Sequence, residues 1–571
     1  MFKSALIKLY LLLTFIVVTN PLSAQRIESI GWQRGLLVYL CVFFLAILAM
    51  VLLAYSRFSK TKVFLSILLV LASALSFGYF QATHLSMEIF ELEILLNATE
   101  NLLDAVFAFS GMLTVLLISI VGLVALLMPS NSHVIFFRSP FFNLFPCGLV
   151  VAVIISILVS REGEGTQAMP TQFTPIAYWL TLKSEELMLD DQVTSSELTL
   201  EPAIEADSGD LVFVMDESMS GDFYDINSSS GVPTSISKYQ PINFGIASSF
   251  ANCSAPSNRS MRYGVSRSSY LTDVIDKPTI WQFAKRAGYR TVYIDTQHGK
   301  GDFGNHMTKL EADFIDDFIQ VLDKDVILYN KDLYAASLLH ERLNNNKKEF
   351  IYINKTGAHF PFEGKYPKDE KRYHPSMPPS GFTRSFHEVD EVEYPVSGDA
   401  LTRLKFVNSY RNAVSWNLTA FFSELYKNKI DQPYILIYTS DHGQTFHDDG
   451  RKGYGTHCSI KVTDPEEGRV PLVVFTNIKH QRIKLQQAAK MNVNKVSHFN
   501  LPATIYGLMG YQSMDLASYH EDLFAPLQKK DQRFLSKYYV RFGAEPIWNS
   551  IYKAVPETSQ VDKSKMVYHH F

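Results

Sequence analysis

The sequence predicts an N-terminal bundle of about five transmembrane helices joined to an α/β domain, whose mostly parallel sheet is covered by helices on both faces. Three observations predict it. Apolar residues concentrate in the first 160 positions, in runs long enough to cross a bilayer. From Asp210 onward, short β-branched or aromatic runs alternate with longer helical patterns. The length of 571 residues exceeds one ordinary domain.

The first part begins with Leu9–Leu22, a short apolar run after Lys3 and Lys8. It reads as a first transmembrane helix or as a signal peptide cut after Ala24. Leu22 stands where a small residue is preferred, which favours a retained helix. Leu36–Tyr55, Val63–Thr83, Ala105–Met128 and Phe141–Ser160 are uncharged or nearly so and suit four further spans. Arg57, Lys60 and Lys62 lie between the second and third runs, and Arg138 between the fourth and fifth. The loop between the third and fourth runs carries Glu88, Glu91, Glu93, Glu100 and Asp104. The basic loops are therefore expected on the cytoplasmic side, and everything after Ser160 outside. This suits a multi-pass bacterial inner-membrane protein with a periplasmic domain. The expected boundaries are 1–160 for the membrane part, 161–207 for a connector and 208–571 for the outer domain. Within the connector, Phe173–Leu182 carries aromatics that suit either a membrane surface or a plain linker.

Composition narrows the function. With 47% hydrophobic and 19% charged residues, the chain is not disordered, coiled-coil or collagen-like. A net charge of −4 gives no basic face for nucleic acid. Four cysteines exclude a disulfide-dense scaffold.

In the outer domain, Leu211–Met215, Thr291–Ile294, Phe350–Ile353, Tyr434–Tyr438 and Leu472–Phe475 read as strands. Thr279–Ala287 and Leu404–Tyr426 read as amphipathic helices. Ligands of such sheets bind beyond the carboxyl ends of the strands. Those ends carry Asp216-Glu217-Ser218, then Asn354 through His359, then Ser440-Asp441-His442-Gly443, with His457 on a later loop. Taken singly, each acid suits a helix cap and each histidine a turn or the surface. Their recurrence at three strand ends points to a metal site, and carboxylate with imidazole suits zinc. His447 is left with no role beyond a substrate contact. A serine-rich segment, Phe250 to Ser260, reads as a loop leading into a helix from Asn258 onward, whose start would favour anions. Ser257 is the expected nucleophile, with Ser254 and Cys253 as competitors; the plainer reading makes Ser257 a helix cap.

These residues resemble the membrane-bound phosphoethanolamine transferases, of which the lipid A enzymes are the best known, in the alkaline phosphatase/sulfatase superfamily. Val214-Met215-Asp216-Glu217-Ser218 is similar to the family's Val-Val-Gly-Glu-Thr segment, which implies Glu217 as a zinc ligand. Cys253, Ser257 and Ser260 keep the spacing around the family's threonine nucleophile, with serine in its place. Gly357-Ala358-His359-Phe360-Pro361 matches Gly-Ser-His-Gly-Pro, and Ser440-Asp441-His442-Gly443-Gln444-Thr445 matches Ser-Asp-His-Gly-Glu-Ser, with Gln444 replacing an acid. His457 ahead of Val470-Pro471 matches the later histidine.

The resemblance implies a sulfatase-like domain that moves phosphoethanolamine from phosphatidylethanolamine to a lipid or glycan acceptor. It implies zinc on Glu217, Ser257, Asp441 and His442, with His359 and His457 at the substrate or a second metal. Of the three residues that hold the donor lipid in the family, Asn97, Asn101 and Ala105 give a partial match. The family's several periplasmic disulfides reduce here to Cys253 and Cys458, which pair or remain free thiols. Related chemistries are phosphoglycerol transfer from phosphatidylglycerol and sulfatase or phosphatase hydrolysis. Ser254-Ala255-Pro256-Ser257-Asn258-Arg259 departs from the hydrolytic Cys-x-Pro-x-Arg pattern by one residue before Arg259.

Overall fold

The computed structural model describes residues 2–83, 86–97, 112–129, 141–161, 163–189, 196–204, 209–301, 303–322, 326–360, 362–377, 400–446, 456–458, 463–536 and 545–553. The chain divides into two compact units, one within Met1–Asp191 and one formed chiefly by Gln192–Val540.

The first unit is helical: α1 (Phe2–Thr19), α2 (Ser23–Ile30), α3 (Arg34–Tyr55), α4 (Lys60–Thr83), α5 (Ile89–Asn97), α6 (Met112–Leu127), α7 (Phe141–Ser160) and α8 (Thr174–Leu189). Among the described residues, Arg34–Tyr55 and Lys60–Gln81 are long and apolar enough to cross a membrane. The α1 and α2 helices add a third span if taken together, bent by 62°. The bend falls at Asn20-Pro21. Pro21 has no N–H to continue the ladder, and Asn20 Nδ2 donates back to Ile16 O at 2.7 Å. Met112–Leu127 and Leu144–Ser160 are apolar but shorter. Of the five spans expected, two therefore have full spanning length and one is broken. Residues 105–111 of the fourth expected run lie outside the described residues. Lys62 donates to Ala54 O at 2.7 Å and Ser56 O at 3.0 Å, so a basic-loop residue satisfies carbonyls at the end of α3.

The expected connector is shared between the units. Phe173, Ala177 and Tyr178 are buried in the first unit, where Tyr178 donates to Thr166 Oγ1 at 2.9 Å. Ser196 N donates to Asp276 O at 2.9 Å and Ala203 N to Gly510 O at 3.0 Å, both inside the second unit. Aromatic burial and sheet-side hydrogen bonding thus absorb what composition alone reads as linker.

The second unit is built on a seven-stranded sheet: β1 (Asp210–Asp216), β2 (Ile242–Ser248), β3 (Arg290–Asp295), β4 (Asp317–Gln320), β5 (Glu349–Asn354), β6 (Tyr434–Ser440) and β7 (Arg469–Thr476). Their order is β2-β7-β6-β1-β5-β3-β4, and only β7 runs against its neighbours. Alternate residues of each central strand enter opposite apolar cores. Phe213, Met215, Tyr352 and Ile437 lie in one; Val212, Val214, Ile351 and Leu436 lie in the other. That is why the strands read as continuous apolar runs. Helices α9 (Ser254–Tyr263), α10 (Tyr270–Asp276) and α11 (Ile280–Arg286) belong to the first core, where Met261, Val274 and Trp281 are buried. In chain order, α12 (Lys309–Ala312) comes next, then α13 (Lys331–Arg342) and α14 (Ala400–Leu425). The last two bury Leu339 and Phe421 in the second core.

The strand runs read from sequence are all present. The sequence reading missed β2, where the ladder shifts register between Asn243 and Gly245, and the four-residue edge strand β4. It also missed a hairpin of β8 (Arg533–Leu535) and β9 (Trp548–Ser550).

Beneath the carboxyl edge lies a fully buried ion pair of Lys355 and Asp216. Tyr438 donates its hydroxyl to Asp216, and Lys355 also bonds Asn417. Removing one partner strands the other charge in the core. Lys355→Met should therefore cost about 3–5 kcal/mol in urea unfolding. The double substitution Asp216→Asn/Lys355→Met should recover most of that loss.

Candidate active site

The sheet order explains the convergence. Strands β6, β1 and β5 are neighbours, with Asp216 level with Ser440 and Met215 level with Asn354. Whatever follows each strand emerges side by side: Asp441-His442, Glu217, and the turn to His359. Parallel adjacency brings together residues more than 200 positions apart.

The turn after β1 is tight. Ser218 takes a positive φ of 61°, unusual for a residue with a Cβ. Its N–H donates to Asp441 Oδ1 at 3.0 Å and its hydroxyl to Glu217 Oε1 at 2.7 Å. Gly357, also at positive φ, packs against this turn. A Cβ there would lie 2.3 Å from Glu217 O, so only glycine fits.

Glu217, Asp441 and His442 are buried, and each offers a ligand atom within 4.8 Å of the others. His442 Nδ1 lies 2.8 Å from Gly443 O, which can only accept. Nδ1 therefore carries a proton, and Nε2 faces Glu217 Oε1 at 3.4 Å and Asp441 Oδ2 at 3.7 Å. Asp441 Oδ2 is buried with no hydrogen-bond partner among the described residues. A buried carboxylate oxygen left over in this way has the lone pairs to take a cation.

The charges point the same way. Burial and the Glu217 carboxylate push Asp441 well above the usual range. Burial also opposes ionisation of Glu217, but the His442 hydrogen bond and charge hold it well below. His442 rises to about 9; burial works against this, and the Asp441 and Glu217 carboxylates outweigh it. Two adjacent buried carboxylates require a positive partner, and a divalent metal would supply it. Two carboxylates, one imidazole and an open position form a donor set that fits a catalytic metal.

The serines divide their roles. Ser254 opens helix α9 and is half-buried, with its Oγ 3.2 Å from His442 Nε2. Ser257, the expected nucleophile and ligand, is fully buried one turn further in. Its hydroxyl donates to Ala251 O and accepts from Ala251 N, both at 3.1 Å. Both the donor and an acceptor position of Ser257 thus close the preceding loop, and of the two serines it is Ser254 that stands at the cluster. Ser260 bonds Tyr270 at 3.3 Å and is buried.

His457 stacks on His442 at 4.2 Å between ring centroids, and His359 lies 6.2 Å beyond it. His359 is exposed. Burial and the positive charge of His442 hold His457 well below its usual value, so it stays neutral. Cys253 and Cys458 are paired. Gln297, which the sequence reading missed, donates to Glu217 Oε2 at 3.0 Å. It sits two residues past β3, where the same strand-end argument would have found it. His447, Asn101 and Ala105 lie outside the described residues; Asn97 ends α5.

A sheet of this order with acid and histidine at three adjacent strand ends defines a class. Residues 210–511, just over half of the chain, match the Sulfatase family, and the chain belongs to it. Among curated proteins it is similar to the Kdo(2)-lipid A phosphoethanolamine 7''-transferase of Escherichia coli K12, at 26% identity over 194 residues, or 32% of this chain and 31% of the relative. The enzyme of the same name from Salmonella typhimurium is 26% identical over 178 residues, covering 30% and 28%. The chain thus matches less than a third of the length of these relatives. Among solved structures, the integral membrane protein lipooligosaccharide phosphoethanolamine transferase A from Neisseria meningitidis shares the fold. It has a TM-score of 0.64 at 17% identity, covering 92% of this chain and 99% of that one. These findings agree with the family resemblance of the motifs and with a helical unit joined to a sulfatase-like α/β unit.

Asp441→Asn should weaken zinc binding, read by chelator competition, while raising the thermal midpoint of the metal-free protein because it removes the repulsion with Glu217. A lower midpoint with zinc affinity unchanged would refute the metal reading of this cluster.

Proposed function

We propose that this protein transfers phosphoethanolamine from phosphatidylethanolamine to an envelope acceptor, lipid A, a core sugar or another glycan, through a covalent phosphoserine on Ser254. The observation that carries the reading is Ser254 Oγ at 3.2 Å from His442 Nε2, beside the Glu217-Asp441-His442 cluster and at a helix N-terminus. The phosphoethanolamine transferases among its relatives support the donor. Zinc would be held by Glu217, Asp441 and His442, with His359 and His457 placed toward the substrate or a second ion. When bound it lowers the pKa of the serine hydroxyl and neutralises charge on the phosphate.

In the first step Ser254 Oγ gives up its proton and forms a bond to phosphorus. The bond from phosphorus to the diacylglycerol oxygen breaks, and that oxygen takes up a proton. In the second step an acceptor oxygen attacks, the phosphorus–Ser254 bond breaks and the serine regains its proton. His359 and His457 bind the transferred group or carry these protons. The positive end of α9 favours the anionic intermediate.

The five-span bundle, the inner-membrane location and a periplasmic catalytic domain belong to the same proposal. A membrane anchor suits an enzyme whose two-chain donor stays in the bilayer. The hydrolase alternative is disfavoured by Arg259, which donates to Val274 O at 2.7 and 3.0 Å and spends its guanidinium there.

Ser254→Ala should lower transfer from a fluorescent phosphatidylethanolamine by about three orders of magnitude or more. Ser257→Ala should retain transfer but lose about 1–3 kcal/mol of stability, because the Ala251 backbone groups go unsatisfied. A trapped phosphoethanolamine adduct mapped to Ser257 would reverse the assignment. A product mass carrying glycerol instead of ethanolamine would replace the donor with phosphatidylglycerol.

A further inference from the structure

Cys253 and Cys458 stand 205 positions apart and are joined, with Cα atoms 4.9 Å from each other. Cys253 is the residue before Ser254 and caps α9; Cys458 is the residue after His457. One covalent bond therefore links the nucleophile's helix directly to the loop of a site histidine.

Hydrogen bonds extend this link to His442. Cys458 N donates to Asn252 O at 2.9 Å. The Asn252 amide donates to Glu467 Oε2 at 2.7 Å, and Glu467 O accepts from Gly443 N, also at 2.7 Å. Gly443 follows His442 in the chain. On the other side, Thr445 N donates to Thr456 O at 2.8 Å. Segments 252–254, 442–445 and 456–458 thus close into a ring around the stacked His442 and His457. Cys458 itself sits at a φ of 60°, a conformation a residue with a Cβ holds only where its surroundings impose it.

We propose that the Cys253–Cys458 disulfide is a positioning clasp: it holds His457 against His442 and sets the start of the Ser254 helix, so the centre is complete only in the oxidised protein. The two apolar cores of this unit are large and lie on the faces of the sheet. The bond lies instead at the carboxyl edge among site residues, so its loss falls on the site before the fold. The catalytic part of this inference rests on the proposed transfer reaction.

The test uses the full chain in detergent, reduced by a trialkylphosphine. The S–S bond breaks, water supplies protons to both sulfurs, and the phosphine takes the water oxygen and leaves as its oxide. Three quantities are read: free thiols, labelling of His457 by diethyl pyrocarbonate located by peptide mass spectrometry, and turnover of fluorescent phosphatidylethanolamine. Reduction should raise His457 labelling severalfold while that of the exposed His480 stays constant. It should lower kcat about 10–100-fold with KM little changed. Reoxidation should restore both. Cys253→Ser/Cys458→Ser should behave as the reduced protein and ignore the phosphine. If that variant does not fold, the reversible reduction of the wild type decides alone. Unchanged labelling and kcat in protein whose thiols titrate as free would overturn the clasp. Absent turnover in the oxidised wild type would overturn the proposed transfer reaction, and the labelling would still decide the clasp.

Discussion

Two carboxylates buried side by side at the ends of adjacent parallel strands set the terms for the rest of the second unit. Glu217 and Asp441 are withdrawn from water, and neither can ionise fully beside the other without positive charge. His442 supplies part of that charge. The positive end of the Ser254 helix lies against the same point. Asp441 Oδ2 is left there without a hydrogen-bond partner among the described residues. Structure and chemistry answer one electrostatic demand.

Holding such a site needs rigid support. The support comes from below, through the buried Lys355–Asp216 pair, and from the side, through Asn252, Glu467 and the disulfide. Asp216 also accepts from the Glu217 N–H at 2.9 Å, so the buried pair orients the residue that follows it. Glu217, Asp441 and His442 thus each have a partner that fixes their direction, as residues that hold a metal do in general.

How much of this could be read in advance follows from period and adjacency. Fully buried strands such as Leu211–Met215 and Tyr434–Tyr438 are unbroken apolar runs and are visible without a structure. Strand β2 carries Asn243 and Gly245 within a bulge, and β4 has only four residues, so neither shows a strand period. The cluster of Glu217, Asp441 and His442 was legible because its members directly follow recognisable strands. Gln297, two residues past β3, was open to the same strand-end reading but was passed over because an amide carries no charge. The apolar helices were legible in composition; the break at Asn20-Pro21 and the burial of Phe173 and Tyr178 were not, since they depend on neighbouring helices.

The α/β class, the apolar first unit and the residue types available at the strand ends are all readable from the residues alone, because periodicity and composition are local properties. The sequence could not separate Ser254 from Ser257. Three residues of helix turn a side chain by about 300°, so the two share nearly one face. Their surroundings differ only in the folded chain: the helix starts at Ser254, leaving that hydroxyl half-exposed at His442, while Ser257 falls one turn inside against Ala251. The tertiary structure also decided the pairing of Cys253 with Cys458, because a bond across 205 residues depends on where the sheet brings the chain back.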